Sequence, residues 1–586
     1  MTTRRQLLQW GGLAGGLSLV AGTVGCGFQG GGDSGGDGGG GEGGSGGSLT
    51  IQGPQLPTLD PQVISNGMWM VNRGLLEGMV VQNNDGTDVE PAAAESWEVS
   101  PDGLTYTFTL REETWSDGSP VTVDDFMFAY ERLLEPKSAG AGVTLGANSY
   151  VPSMGIKNAL EFQQGVVTDW EEVGIKALDD RTIEFTLDTP NIGFLMGMSH
   201  ASMCPLPKKV VEEKDAEWEK PENIITNGPF TVEAMQTNVS MALVKNEKYW
   251  DADNVALDRI DYRMSDGAEV TLVPFENGEV DIMPVGDPAS LLRFEKDPNL
   301  KDNLKSAKPG SIYYLALMHS ESELLRDIRI REALSLAMGR ETAAASIPLV
   351  TPTTSLVPQS VPGWDESLGI PEDIEKAKQL LADAGYPDGK GLPTITILNG
   401  GNPSPMIATI MANWKKNLGI KVANDAVESG VYVKKRMAMN PKDYAGFYYG
   451  SFASELNWPK WVGSLWSPDF TKPFSLSAKD YKEYLKVQQS TDLKPAELTS
   501  KLEKIANEGA SPEVKKFAEL TDKAMHTVDP DEAVEAFKAA AKAREECFIF
   551  LPIGMGSYHF AVNDRVTGFH PRPTGDQYYY KTLGVK

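Results

Sequence analysis

The residues best suited to binding chemistry gather in one stretch, 444–466. It holds a single carboxylate, Glu455, set among Tyr448, Tyr449, Phe452 and Asn457, with Trp458, Trp461 and Trp466 falling inside nine residues. Aromatic surface of that density can line side-chain pockets or stack on sugar rings, with at least one ring expected in plain core. A carboxylate buried among such neighbours is costly unless a cation meets it. Catalytic patterns are thin by comparison. No Gly-x-Ser-x-Gly elbow joins a strand to a helix, and no His-Glu-x-x-His or Cys-x-x-Cys pair occurs. The five histidines (His200, His319, His526, His559, His570) lie far apart without ligand spacing, and packing or surface roles are expected for them. Three cysteines, Cys26, Cys204 and Cys547, are too few for a zinc scaffold or a disulfide framework, although Cys204 and Cys547 could pair in an oxidising compartment. No enzymatic activity, metal or cofactor is expected.

These residues must be carried by a large, acidic, exported protein. The chain has 586 residues, three to four times an ordinary domain, so several lobes are expected. A hydrophobic content of 41% and a charged content of 23% are a normal globular mix that supports a sizeable core. Lys and Arg total 54 against 81 Asp and Glu, a net charge of −27. Such a surface repels phosphate backbones and anionic headgroups, which argues against nucleic-acid binding.

The first residues set the compartment. Thr3-Arg4-Arg5-Gln6-Leu7-Leu8 precedes an apolar, small-residue run over 11–25. A basic start with about 15 apolar residues fits an export signal, since a membrane span needs roughly 20. Arg4 and Arg5 resemble a twin-arginine signal, although two arginines also suit the general secretory route. The run ends Thr23-Val24-Gly25-Cys26, which resembles the bacterial lipobox, so Cys26 is expected to be acylated on sulfur after removal of 1–25. Residues 27–48 contain 14 glycines and cannot bury enough apolar area to order themselves. A flexible tether over 26–48, with a reach of roughly 25 Å, is expected.

From Leu49 the pattern is globular. Ser48-Leu49-Thr50-Ile51 alternates as a strand, as do 106–110 and 182–187. Residues 121–126 lead into a helix towards Leu134, with an aspartate suited to its cap. Over 373–385, Ile374, Ala377, Leu380, Leu381 and Ala384 share one helix face, and Gly385 falls where a left-handed cap belongs. Further helices are expected over 325–338 and 530–546. Strands and helices intermingle without a fixed repeat, so the class is α/β.

Several blocks then carry a family resemblance. Residues 92–111 read A-A-A-E-S-W-E-V-S-P-D-G-L-T-Y-T-F-T-L-R, and 115–132 read W-S-D-G-S-P-V-T-V-D-D-F-M-F-A-Y-E-R. S-M-C-P-L-P-K follows at 202–208, T-N-G-P-F at 226–230, K-N-E-K-Y-W at 245–250, N-G-E-V-D at 277–281, then 327–340 and W-K-K-N-L-G-I at 414–420. In order and extent these resemble the family 5 extracytoplasmic solute-binding proteins of ABC transporters, of the oligopeptide-binding type. The resemblance implies a two-lobed flytrap fold, class II-like with cluster C architecture. Its first lobe would be discontinuous, over 49–90, 224–310 and 553–586. Residues 91–223 would form an extra subdomain, and 311–552 the second lobe. The W-S-D-G segment is expected to be a tight turn.

The resemblance also implies a site. Relatives carry G-W-x-A-D-Y-x-x-P near this place, with an aspartate that pairs with the peptide's α-ammonium. Matching Pro459 to the family proline, with one residue inserted, puts Glu455 at the aspartate; without the insertion Ser454 falls there. Ser65, Asn66, Gly67 and Met68 correspond to the loop whose backbone pairs with extended peptide, and Tyr448, Tyr449, Phe452, Asn457, Trp458 and Trp461 complete the expected ligand surface. The arginine that relatives often carry just before the motif is replaced by Tyr448 or Tyr449, and their disulfide positions fall near Ser311 and Phe452. The expected protein is thus a monomeric, lipid-anchored oligopeptide receptor at the outer face of the cytoplasmic membrane, working with permease subunits and a cytoplasmic ATPase. An oligosaccharide receptor, an extracytoplasmic hydrolase and a peptide sensor are the alternatives. If Cys26 carries the anchor, Cys26→Ala should move the protein from the membrane to the soluble fraction. Membrane retention of that variant, with no acyl mass on the wild-type protein, would refute the anchor.

Overall fold

Alternating burial defines the first strand, Gly47–Pro54, where Leu49, Ile51 and Gly53 point inward. It belongs to a computed structural model that describes residues 47–586 apart from 57, 64–68, 136–153, 266–270, 321, 402–403, 438–443, 465, 491, 494 and 575–576. The expected export signal and Cys26 lie outside the described residues. Gly47 and Ser48, expected in the tether, instead pair with Leu257 and Arg259.

That strand is the centre of a seven-stranded sheet ordered Leu304–Ser306, His559–Val562, Ile282–Pro284, Gly47–Pro54, Leu257–Ser265, Ser240–Lys245 and Phe230–Gln236. A second sheet has six strands, ordered Thr351–Pro352, Phe550–Gly556, Ser311–Leu317, Ala445–Ala453, Ile395–Gly400 and Val422–Val427. A third, antiparallel sheet of Ala94–Val99, Thr105–Leu110, Thr182–Thr186 and Ile175–Ala177 lies within the segment expected as the extra subdomain. Each sheet has its own core. Ile51, Leu243 and Ile260 fill the first, Ile312, Leu315 and Phe447 the second, and Phe108, Phe126 and Phe185 the third.

Local chemistry explains the helices. Val123–Leu134 starts at Thr122, whose backbone N–H donates to Asp125 at 2.9 Å, so the aspartate caps from inside the first turn. The same carboxylate accepts from Lys208 N at 3.1 Å and so ties the helix to the 202–208 block. Ile374–Asp383 is capped by Asp373, which accepts from Lys376 N at 2.9 Å, and Gly385 follows with φ 93°. The helix expected over 325–338 is broken by Asp327, which caps Ile328–Leu336 after a 3-10 turn at Leu324–Arg326. Pro468–Ser475, Pro512–Met525 and Pro530–Glu545 each begin with proline after Ser or Asp, the residues that suit N1 and N-cap. The W-S-D-G segment is a tight turn: Gly118 N donates to Trp115 O at 2.8 Å, with Gly118 at φ 93°.

Between the two larger sheets runs one antiparallel ribbon. Leu304 to Ser306 pair with Ala561 to His559 in the first sheet. Ala307 N then donates to Tyr558 O at 2.9 Å and Gly310 N to Gly556 O at 3.1 Å. Ser311 to Ala316 continue against Gly556 to Phe550 in the second sheet. Residues 553–556, expected in the first lobe, therefore belong to the second sheet. Phe550–Gly556 is buried at every position between two partner strands, so it runs on to Gly556 before crossing. At the crossing, a Cβ on Gly310 would stand 2.1 Å from the Pro573 carbonyl oxygen. Gly286 has nothing within 4 Å of its Cβ position. Gly310→Ala should therefore cost roughly 1–3 kcal/mol in denaturant unfolding, while Gly286→Ala stays within about 0.5 kcal/mol. Equal stability of the two variants would remove Gly310 as a steric constraint.

Candidate functional site

Strand Ala445–Ala453 delivers the aromatic stretch to the end of the second sheet. It is buried through Tyr448 and only half-buried at Tyr449, Gly450 and Ser451. Its ladder with Ser311–Leu317 runs from Leu317↔Phe447 to Ser311↔Ala453. Its ladder with Ile395–Gly400 stops at Leu398↔Tyr448. On that side residues 449–453 have no strand neighbour among the described residues, although the Tyr432 hydroxyl donates to the Tyr449 carbonyl at 2.8 Å. A half-buried edge of this kind can accept an added extended chain.

Directly beyond the edge the backbone turns at Glu455 and is held there. The Glu455 carbonyl accepts from Asn457 N and from Trp461 Nε1, both at 2.9 Å. Asn457 Oδ1 accepts from Lys460 N at 2.9 Å at the start of the π-helical turn Pro459–Ser464. The Arg544 guanidinium, at the end of helix Pro530–Glu545, donates to the Trp461 carbonyl. Arg544 is itself buried and pairs with Glu545 at 3.0 Å. Glu455 is thus positioned by a distant helix through a buried ion pair.

The tryptophans do not line a surface. Trp458 and Trp461 are 2% and 0% exposed, and the Trp458 indole donates to the Pro362 carbonyl at 2.8 Å. Phe452 packs edge to face on Trp461 and on Trp466, which tilt at 49° to each other, with centroids 5.3 to 5.6 Å apart inside the second-lobe core. Rings of this size recover the most free energy when fully enclosed, and both indole N–H groups find carbonyls inside the lobe. The expectation that Phe452, Trp458 and Trp461 face ligand is corrected accordingly. Tyr448 is also buried, edge-on to Tyr314 and 5.3 Å beneath the Arg436 guanidinium. Tyr449 is half-buried and stacks on Tyr313 at 6.3 Å. Ser65 to Met68 lie outside the described residues. The segments flanking them are anchored by the Asp60–Arg132 ion pair at 2.6 Å and by Asn72 Nδ2 donating to Leu59 O at 3.1 Å.

Glu455 is buried, and the Ser454 hydroxyl donates to it at 2.6 Å. Burial pushes its carboxyl up, but the charges of Lys460 and His200, with the Ser454 hydroxyl, outweigh that and hold it below the ordinary glutamate value. Lys460 comes from its own turn; His200 comes from within the segment expected as the extra subdomain. That segment meets the second lobe directly: Ile192 packs on the second-lobe core, and a Cβ on Gly193 would lie 2.6 Å from Asn457 Oδ1. Asn457 faces this contact. Nothing in sequence spacing links His200 to Glu455. Cys204 and Cys547 are both buried and free, and each packs in a different core, so they do not pair. Among the described residues no cluster of three or more His, Cys, Asp or Glu could hold a metal.

Compared with known proteins, residues 88–470 match the bacterial extracellular solute-binding proteins, family 5 Middle. The chain is 32% identical over 398 residues to the probable deoxycholate-binding periplasmic protein YgiS of Escherichia coli, covering 65% of this chain and 71% of that one. It is 32% identical over 392 residues to the periplasmic oligopeptide-binding protein OppA of Salmonella typhimurium, covering 63% and 68%. Among solved structures, the periplasmic oligopeptide-binding protein OppAIV of Borrelia burgdorferi aligns with a TM-score of 0.68 at 26% identity, over 92% of this chain and 100% of that one. The murein tripeptide binding protein MppA of Escherichia coli aligns at 0.69 and 22%, over 92% and 99%.

The Glu455 environment predicts a pH dependence. A carboxyl held below its ordinary value adds stability above pH 4.5, its ordinary value, and loses it as pH falls through the depressed one. Glu455→Gln should be less stable than wild type at pH 7, by roughly 1–3 kcal/mol, with the gap closing in acid. Thermal unfolding at pH 7 and pH 3.5 checks this, and an equal gap at both would mean that the charge is not what the variant loses.

Proposed function

The chain belongs to the family 5 bacterial extracellular solute-binding proteins, and from that premise we propose that it is the receptor of an ABC importer, capturing oligopeptides between its lobes and delivering them to the permease. The observation that carries this reading is a half-buried strand edge at 449–453 that runs straight into the buried Glu455 carboxylate. An extended peptide can pair its backbone with such an edge whatever its side chains are. Its α-ammonium then has a carboxylate at the end of the ladder. Backbone edge followed by anion matches the order of groups at a peptide's amino end.

Other ligands fit less well. A sugar would need exposed rings, and Trp458 and Trp461 are enclosed. A bile salt, named for the Escherichia coli relative, is an anion and would bring a second carboxylate towards Glu455. A hydrolase of the two-carboxylate kind would need a partner acid, whereas the charges felt by Glu455 are those of Lys460 and His200. The anchor at Cys26 and the twin-arginine export route complete the proposal, on the strength of the leader sequence.

The test is calorimetric titration of wild type and Glu455→Gln against a free peptide and its N-acetylated form. Removing either charge should weaken binding by about 2–5 kcal/mol. Acetylation should cost the Gln variant little more, because both changes act on one contact. Fully additive losses would place the ammonium elsewhere. Binding of an oligosaccharide or deoxycholate with no binding of peptide would end the peptide reading.

A further inference from the structure

We propose that the body built on the third sheet works as a clasp on the second lobe: its loop 190–193 seats against the turn that carries Glu455, and this contact supplies part of the free energy of lobe closure. The inference concerns closure rather than ligand class, so it stands apart from the peptide reading above.

The loop is shaped by its own body. Asn191 Nδ2 donates to Met154 O at 2.9 Å, and its Oδ1 accepts from Gly193 N at 2.9 Å. The Asn191 carbonyl accepts from the Tyr106 hydroxyl at 3.2 Å and from Phe194 N at 3.0 Å, and the Tyr106 and Phe194 rings meet with centroids 4.4 Å apart. Tyr106 belongs to strand Thr105–Leu110, so the third sheet by itself fixes the loop. That body in turn moves with the first sheet: its Trp115 and Ala129 lie in the first-sheet core, and its Arg132 pairs with Asp60 at 2.6 Å.

What the loop presents does not serve its own core. Ile192 is half-buried, and the apolar cluster it packs against is that of the second lobe. Gly193 has φ −92° and ψ 1°, a conformation that other residues adopt in type I turns, so its backbone does not call for glycine. Space does: a Cβ there would stand 2.6 Å from Asn457 Oδ1 and 2.8 Å from its Cγ, while the loop's own Asn191 Oδ1 is farther off at 3.3 Å. The Asn457 amide is not free to swing aside, because its Oδ1 also accepts from Lys460 N at 2.9 Å. Gly103 approaches the second lobe a second time, with its Cβ position 3.6 Å from Val528 Cγ1, between helices Pro512–Met525 and Pro530–Glu545.

Apolar burial and close fit thus run across a boundary between two bodies, each with its own core. Contacts of this kind are made when the lobes are together and lost when they part, so they count towards closure and not towards the fold of either body. They bias the open–closed equilibrium whatever the ligand, and every ligand that needs the closed form feels them equally.

The test reads closure by energy transfer between dyes on Val239→Cys and Val431→Cys, exposed positions beside the first sheet and in the second lobe. Cys26→Ser leaves these as the reactive thiols, since Cys204 and Cys547 are buried. Without ligand, Ile192→Ala and Gly193→Ala should each show lower transfer than the parent. Each should also bind the free peptide of the titration above about 5- to 30-fold more weakly, with the preference for free over acetylated peptide unchanged. Adding Asn457→Ala should remove most of the Gly193→Ala effect, because that effect runs through one amide. Parent-level transfer in both single variants overturns the clasp. So does a Gly193→Ala loss that is the same with and without the Asn457 amide, since the strain would then lie inside the loop. If no peptide binds the parent, the peptide reading falls and the ligand-free transfer still decides the clasp.

Discussion

Everything in this molecule is strung on one antiparallel ribbon. Strand Leu304–Ser306 and strand Ser311–Leu317 lie in different sheets, yet each pairs with the same returning stretch, His559–Val562 and Phe550–Gly556. Because the two crossings are hydrogen-bonded to each other through Ala307 and Gly310, they cannot bend independently. The two crossings between the sheets are thereby held to each other along their length. The tight approach of Gly310 to Pro573 shows how little room the pivot has for a side chain.

A second constraint lies beyond the sheet, at the buried carboxylate of Glu455. A fully buried carboxylate is tolerated only with cations at hand. Here Lys460 and His200 both act to keep Glu455 charged against its burial. The rigidity behind it is equally physical. Arg544 is buried, paired with Glu545 and committed to the Trp461 carbonyl, so the turn that carries Glu455 cannot drift. The enclosed tryptophans take part in that rigidity.

What the sequence disclosed follows from which forces are local. The strand at Gly47–Pro54 and the helix Ile374–Asp383 are written in alternation, in a 3.6-residue stripe and in caps such as Asp373, all short-range signals. Glu455 is singled out by matching Pro459 to the family proline, a match that spacing alone leaves open to Ser454. The misreadings concern long-range packing. Trp458 and Trp461 look the same in sequence whether they face ligand or core, and only the Pro362 and Glu455 carbonyls decide it. The end of the second lobe at Gly556 was missed for the same reason: an unbroken apolar strand carries no mark of which sheet it joins.

The separation of edge and carboxylate has a consequence for breadth of recognition. Backbone pairing along 449–453 would give affinity that does not depend on side chains, since every peptide offers the same donors and acceptors. Such pairing alone would also accept any strand-like segment, including internal stretches of unfolded protein. On the peptide reading, a buried anion at the end of the ladder would restrict capture to chains that end there with a free amine. Tolerance of sequence and intolerance of blocked ends are therefore two properties of one short stretch, produced by different forces and open to separate alteration.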